Sequence, residues 1–211
     1  LCNYLINLDN TKKTAVIAYD SRRFSKEFGI QAAKIFSANN IKSYIFSNLR
    51  PTPELSFAVR ELNCSCGLVI TASHNPKEYN GYKVYWNDGG QITAPHDKNI
   101  ISEVEKISDL NQVNINFKSE LIKEIDSEVD KKYINRIQSL SVYDNSKSKL
   151  KIIFSSLHGT GITQVPNALK AFGFKNIISV KSQELPDPEF STVNSPNPED
   201  LDALELGIKK L

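Results

Sequence analysis

The chain has 211 residues, 40% of them hydrophobic and 24% charged, and a formal net charge of +2. That composition suits a globular protein of one or two domains with a buried core, and so mild a charge, with no Lys/Arg block, argues against a nucleic-acid partner. The longest apolar runs are strand-sized, so no membrane span is expected, and the N-terminus lacks the basic start, apolar stretch and small-residue site of a signal peptide.

The chain begins at Leu1 and contains no methionine, which reads as a trimmed start. The three cysteines, Cys2, Cys64 and Cys66, are odd in number and fit no common zinc or redox spacing. They read as reduced core thiols of a cytoplasmic protein.

The first strand is expected at "TAVIAYD" (Thr14 to Asp20), a β-branched run suited to burial on both faces. "SKEFGIQAAKIFSANN" follows as a helix, with Ser25 as N-cap and Asn39-Asn40 as its stop. "IKSYIF" is a second strand, "TPELSFAVRELN" a helix with Pro53 near its start, and "CGLVIT" a third strand. This order predicts parallel strands with helices on both faces. The loops "YDSRRFS", "LRPTP" and "TASHNP" would then converge at the carboxyl ends of the strands, where such sheets carry function. Arg50 to Pro53 reads as rigid scaffold more than as substrate contact.

Asn80-Gly81 and Asp88-Gly89-Gly90 bracket an alternating run and predict a hairpin-like return antiparallel to part of the sheet. Tyr85 and Trp86 on it read as packing residues. "APHDKNIISEVEKIS" is a helix with His96 on its surface, Asn111 to Ser127 is polar and poorly periodic, and Glu128 to Leu140 is a further amphipathic helix. The serine-rich stretch Asp144 to Ser148 reads as a linker. After it the pattern restarts: strand "LKIIFSSL", glycine turn "HGTG", helix "ITQVPNALKAFGF", strand "NIISV". In the last helix, Asn197 caps, Pro198 takes the first helical position, and Leu201, Leu204, Ile208 and Leu211 repeat at helical spacing. The helix is still running at the last residue, which suggests a fragment. The expected fold class is α/β, with a mixed, mostly parallel sheet sandwiched by helices, followed by part of a second similar α/β domain. The division expected is 1–147 and 148–211.

The chemistry concentrates at "TASHNPKEYNGYKVYW" (Thr71 to Trp86). Ser73 and His74 are sequence neighbours, which argues against their facing each other as nucleophile and base. A serine hydrolase would flank its nucleophile with glycines and recruit a remote histidine. Those glycines are absent, and the only remote histidines, His96 and His158, sit in no such motif. Phosphoryl transfer fits better, because it needs positioned anion contacts and an oxygen nucleophile. Arg22, Lys83 and the "HGTG" turn could hold phosphate oxygens, while no Walker-type glycine loop is present.

These residues resemble the active-site loop of the α-D-phosphohexomutases, the phosphoglucomutase/phosphomannomutase family. The resemblance continues in order through "YDSR", "RPTPELSFAVR", "DGGQI", "SLHGTG" and "SPNPED", nearly the whole chain. It implies that Ser73 carries a phosphate, donates it to a hexose monophosphate and recovers the other phosphate from a reoriented bisphosphate. It makes Lys83 the general acid/base and His74 a group that orients substrate or phosphate. Arg22, Asn75, His158 and Gly159 become substrate- or phosphate-binding positions. It also implies magnesium on a phosphoserine oxygen, a glucose 1,6-bisphosphate-type activator and small-molecule hexose phosphates as partners, which agrees with the absence of nucleic-acid and membrane signals and with a cytoplasmic location. The family's acidic metal loop, Asp-x-Asp-x-Asp-Arg, does not occur here and would follow Leu211 in family order, so this piece alone is expected to be inactive. The other readings are a non-catalytic sugar-phosphate binder of the same descent and a sibling mutase for pentose or amino-sugar phosphates.

Overall fold

The computed structural model describes residues 1–8, 11 and 13–210. Strand β1 (Thr14–Tyr19) lies at the centre of a five-stranded sheet with β2 (Lys42–Phe46), β3 (Cys66–Ile70), β4 (Tyr82–Trp86) and β5 (Ile122–Ile125), in the order β4-β3-β1-β2-β5. β1 pairs parallel to both β2 and β3, β5 runs parallel to β2, and only β4 is antiparallel. The uninterrupted apolar run of β1 follows from burial on both faces. Ala15, Ile17 and Tyr19 point into one core with Ala33 and Phe36 of helix α2 (Ser25–Ala38). Val16 and Ala18 point into the other with Leu55, Ala58 and Val59 of α3 (Thr52–Glu61).

Helix α1 (Cys2–Leu8) adds Leu5 to the first core and packs beside α4 (His96–Glu105). α5 (Ser127–Gln138) places Val129 and Tyr133 against the second core. A separate parallel pair, β6 (Lys151–Phe154) and β7 (Asn176–Ser179), carries α6 (Gly161–Ala171) and α7 (Leu201–Ile208). α5 packs on both α3 and α6 and so touches both units.

Several local expectations change. Strand β5 lies inside the stretch read as aperiodic; it is an edge strand with two of its four residues exposed, so it lacks the alternation that marks strands with one buried face. Ser25 is not the cap of α2. Phe24 holds that position at φ 62°, and the Ser25 hydroxyl donates to Asp20 Oδ1 at 2.7 Å. At α7 the cap is Asp200, not Asn197, whose side-chain oxygen instead accepts from the Glu199 amide at 3.1 Å. The buried residue of α7 is Ala203, while Leu201, Leu204 and Ile208 are exposed and Leu211 lies outside the described residues. His96 is no free surface group: its ring stacks on Trp86 with centroids 4.0 Å apart, and its Nδ1 lies 2.8 Å from the Tyr4 hydroxyl. Cys64 and Cys66 are buried and Cys2 half-buried, all three as free thiols.

Candidate active site

The loops that follow β1, β2, β3 and β6 meet around a cavity of about 420 Å³ between the two units. Backbone bonds fix the first three to one another: the Asp20 amide donates to Ile70 O at 3.1 Å and the Arg50 amide to Tyr19 O at 3.1 Å. Asp20, Ser21, Thr52, Thr71, Ser73 and His74 form one wall, and Ser155, Ser156, Gly159, Thr160 and Gly161 face them from the second unit. Pro51 and Pro53 line the cavity as well, so the "RPTP" loop reaches the site instead of serving as scaffold alone.

Ser73 sits at φ 60°, in the left-handed region that a residue with a Cβ seldom adopts. The conformation is held locally. The Ser73 amide donates to Thr71 Oγ1 at 2.9 Å, and the Asn75 amide donates to Ala72 O at 3.1 Å. Thr71 is fixed in turn by its amide, which donates to Gly81 O at 3.0 Å. Gly81 is required there, because a Cβ would lie 2.5 Å from Thr71 O. The twist brings Ser73 Oγ to 3.2 Å from His74 Nδ1, so the neighbours do meet, contrary to the expectation from their adjacency.

Of the other expected residues, Gly159 lines the cavity, and Asn75 is exposed on the serine loop just outside it. Lys83 is half-buried on β4 opposite Val69, its side chain makes no hydrogen bond or ion pair with the described residues, and it does not line the cavity. His158 is 4% exposed and turned away from it. Its Nδ1 donates to Leu185 O at 2.9 Å, which leaves Nε2 to accept from the Thr192 hydroxyl at 2.8 Å. Leu157 and His158 both have positive φ, 46° and 61°, so this turn, like the serine loop, holds backbone strain beside the cavity. Arg22 is also 4% exposed and aims its terminal donors at carbonyls of the serine loop instead of at the cavity.

Sequence reasoning missed Phe190, Pro196 and Pro198, which close the cavity from the second unit. The loop carrying Phe190 is knotted by Asp187. Its carboxylate accepts from the Glu189 and Ser191 amides at 2.9 Å and from the Ser191 hydroxyl at 2.6 Å, and these bonds hold it down at about 2. The adjacent Glu189 pairs with both Arg23 and Lys77 of the first unit. No sequence periodicity announces such a loop.

The cavity does not present a magnesium site. Among the described residues no group of three or more His, Cys, Asp or Glu side chains is placed to hold a metal ion. Among the described residues the one carboxylate on the cavity wall, Asp20, accepts at Oδ1 from the Arg22 amide and the Ser25 hydroxyl, and its Oδ2 is 3.3 Å from Arg22 Nε. Nor is any helix among the described residues long and apolar enough to cross a membrane.

Comparison with known proteins agrees with this arrangement. The family description "Phosphoglucomutase/phosphomannomutase, alpha/beta/alpha domain I" matches residues 1–111, and that of domain II matches residues 131–211. A phosphoglucomutase of Staphylococcus haemolyticus (strain JCSC1435) is 39% identical over 214 residues, covering 100% of this chain and 39% of the relative. One from Staphylococcus aureus (strain MRSA252) is 40% identical over 212 residues, covering 99% and 38%. The chain thus spans about two fifths of the length of these relatives. Among solved structures, a phosphoglucomutase/phosphomannomutase family protein of Burkholderia thailandensis superposes with a TM-score of 0.76 at 19% identity, covering 99% of this chain and 43% of that one. At that identity the likeness speaks for the fold alone. The family matches and the near-complete coverage by relatives at about 40% identity lead to one conclusion: the chain belongs to the phosphoglucomutase/phosphomannomutase family, as its first two α/β/α units.

Proposed function

We propose that the protein carrying this chain interconverts hexose 1-phosphate and hexose 6-phosphate, of glucose, mannose or both, through a phosphate on Ser73. The observation that carries the reading is the placement of Ser73. Its hydroxyl stands on a strained turn at the wall of a cavity, beside His74 and across from the glycine turn of the second unit. In the forward step a sugar hydroxyl attacks the phosphorus on Ser73. The P–O bond to Ser73 Oγ breaks as the new P–O bond forms, and the hydroxyl proton passes to Lys83, a role that rests on the family resemblance because Lys83 does not itself line the cavity. After the bisphosphate turns around, Ser73 Oγ receives its other phosphate and a proton returns to the leaving sugar oxygen. His74 orients the Ser73 oxygen, and Asn75 and Gly159 contact the bound sugar phosphate.

The magnesium ion that the family resemblance implies would neutralise charge on the transferred group. Since the donor set described above does not hold it, we assign its protein ligands to sequence beyond Leu211, and the chain alone is expected to turn nothing over. A glucose 1,6-bisphosphate-type activator would charge Ser73. We place the protein in the cytoplasm with small-molecule hexose phosphates as its partners, and with neither nucleic acid nor membrane. We set the division between its units at the 144–148 linker, which separates the sheet that β5 closes from the one that β6 opens.

The test is peptide mass spectrometry of the full-length protein after exposure to glucose 1,6-bisphosphate. Phosphate should appear on the Ser73 peptide, leave when glucose 6-phosphate is added, and be absent from Ser73→Ala, which should fold normally and lose turnover. A folded wild type that never takes phosphate at Ser73 would sink the reading and favour a non-catalytic binder.

A further inference from the structure

We infer that Arg22 is a positioning residue that shapes the Ser73 loop from beneath, and that Phe190 of the second unit seals it there. The inference rests on the assignment of Ser73 as phosphate carrier and adds the device that sets its geometry. Arg22 Nη1 donates to Pro76 O and Tyr79 O, both at 2.8 Å. Nη2 donates to Ser73 O at 3.0 Å and to Asn75 O. Only a planar group with several fixed donors can satisfy four carbonyls that converge from an irregular loop. The remaining donor, Nε, lies 3.3 Å from Asp20 Oδ2 without hydrogen-bond alignment, so that carboxylate balances the buried charge. The Phe190 ring stands over the guanidinium, 5.4 Å from its carbon to the ring centroid, and closes the remaining face.

The carbonyls' direction has a consequence for the phosphate. In a trans peptide the N–H points opposite to the preceding C=O. With Ser73 O and Pro76 O turned down onto Arg22, the amides of His74 and Lys77 point away from it, on the solvent side of the loop. Neither amide donates to any group among the described residues, and that of His74, which lines the cavity with Ser73, is open to an anion held on the Ser73 oxygen. Arg22 therefore acts on the phosphate through the backbone that it orients, and Phe190 makes that orientation depend on the second unit being docked.

The experiment compares wild type, Arg22→Lys and Phe190→Leu in the full-length protein by steady-state kinetics and by peptide-level hydrogen exchange. Arg22→Lys keeps the charge but cannot fork to four carbonyls. It should lower kcat by about 100-fold, the scale expected when reacting groups are misplaced by an ångström, with KM within about threefold. Exchange in the 73–80 peptide should quicken at least about tenfold while β1 and β3 stay protected. A direct phosphate ligand would instead show a raised KM, a preserved kcat and an unchanged loop, which would overturn the proposal. So would exchange that rises throughout the sheet with kcat per folded molecule intact, the mark of a purely structural residue. If Arg22→Lys fails to fold, Phe190→Leu decides, since faster loop exchange with a lower kcat is expected and an unaltered loop refutes the inference. A wild type in which Ser73 never accepts phosphate would defeat the function proposed above, yet the exchange comparison would still judge Arg22.

Discussion

At the scale of single residues, the site depends on side chains that hold backbone as much as on those that face the cavity. Thr71 is the plainest case: its hydroxyl accepts the Ser73 amide and so helps to hold a left-handed φ that costs about 1–3 kcal/mol where it is adopted by a residue other than glycine. Thr71→Val preserves shape and removes that acceptor. Chemical denaturation should report a loss of about 1–2 kcal/mol, and phosphate uptake at Ser73 should slow; unchanged uptake would show that the turn holds without it. Lys83 presents the opposite pattern, since its side chain makes no hydrogen bond or ion pair with the described residues and only its backbone is paired, to Val69. Lys83→Ala should leave stability within about 0.5 kcal/mol and reduce turnover by roughly 100- to 10,000-fold, the span of general acid/base effects. A loss of stability with little change in rate would return Lys83 to the ranks of ordinary strand residues.

At the scale of elements, close approach of α3 to the sheet sets where the "RPTP" loop delivers its residues. Gly67 on β3 lies directly under Val59, and a Cβ there would sit 2.5 Å from Val59 Cγ2. Gly67→Ala should therefore cost about 1–3 kcal/mol in urea unfolding, and adding Val59→Ala should recover part of it by making room. Full additivity of the two losses would mean that α3 and β3 do not meet in this way. The elements legible beforehand were those with a strong period or a continuous apolar run, β1 and α2 above all. Strand β5 was not legible, because Lys123 and Glu124 face solvent at the sheet edge and only its pairing to β2 makes Ile122 to Ile125 a strand. The cap of α2 was misread for a related reason: Ser25 has the chemistry of a cap, but its hydroxyl is engaged by Asp20 across the loop.

At the scale of the whole molecule, the two units join through a buried polar contact between α3 and α6. Glu54 is fully buried, and its Oε1 accepts from Gln164 Nε2 at 3.2 Å, while Glu54 Oε2 and Gln164 Oε1 have no hydrogen-bond partner. Arg50 comes within 3.8 Å of Glu54, but its aligned donors go to Asp130, at 2.8 and 2.9 Å, to Leu49 O, and at 3.4 Å to Asp126 Oδ1. Burial first, and then the hydrogen bond and charge of Asp130, push the Glu54 carboxyl up to about 9 against an ordinary value of 4.5. A neutral Glu54 carries an O–H that can donate a hydrogen bond to one of these neighbours, which suits a contact with two orphaned oxygens. In the unfolded chain the same carboxyl ionises near 4.5. Its contribution to stability is complete below that pH, declines as pH rises, and is lost as the pH passes about 9. Glu54→Gln abolishes this dependence. Thermal melts should show the variant gaining on wild type between pH 5 and pH 9, by up to about 1.4 kcal/mol per pH unit. A constant difference across that range would mean that Glu54 is ionised in the fold.

By itself, the sequence determined the α/β class, the parallel order of the first three strands, and the loop on which Ser73 stands. Those features depend on local signals: apolar runs, helix periods, Asn-Gly turns and a motif contiguous along the chain. Only the tertiary structure decided what the charged and aromatic residues do. Arg22 and His158 had the chemistry of phosphate ligands, yet both are buried and bonded within the protein. Ser73 and His74 were set apart by their adjacency, and a single left-handed residue brings them together. Phe190 carries no motif, and its ring lies over Arg22 because its loop crosses from the second unit onto the first. The physical reason is common to all of these. A side chain's type states which bonds it can make, but its partners come from distant parts of the chain, and burial decides which of those bonds must be made.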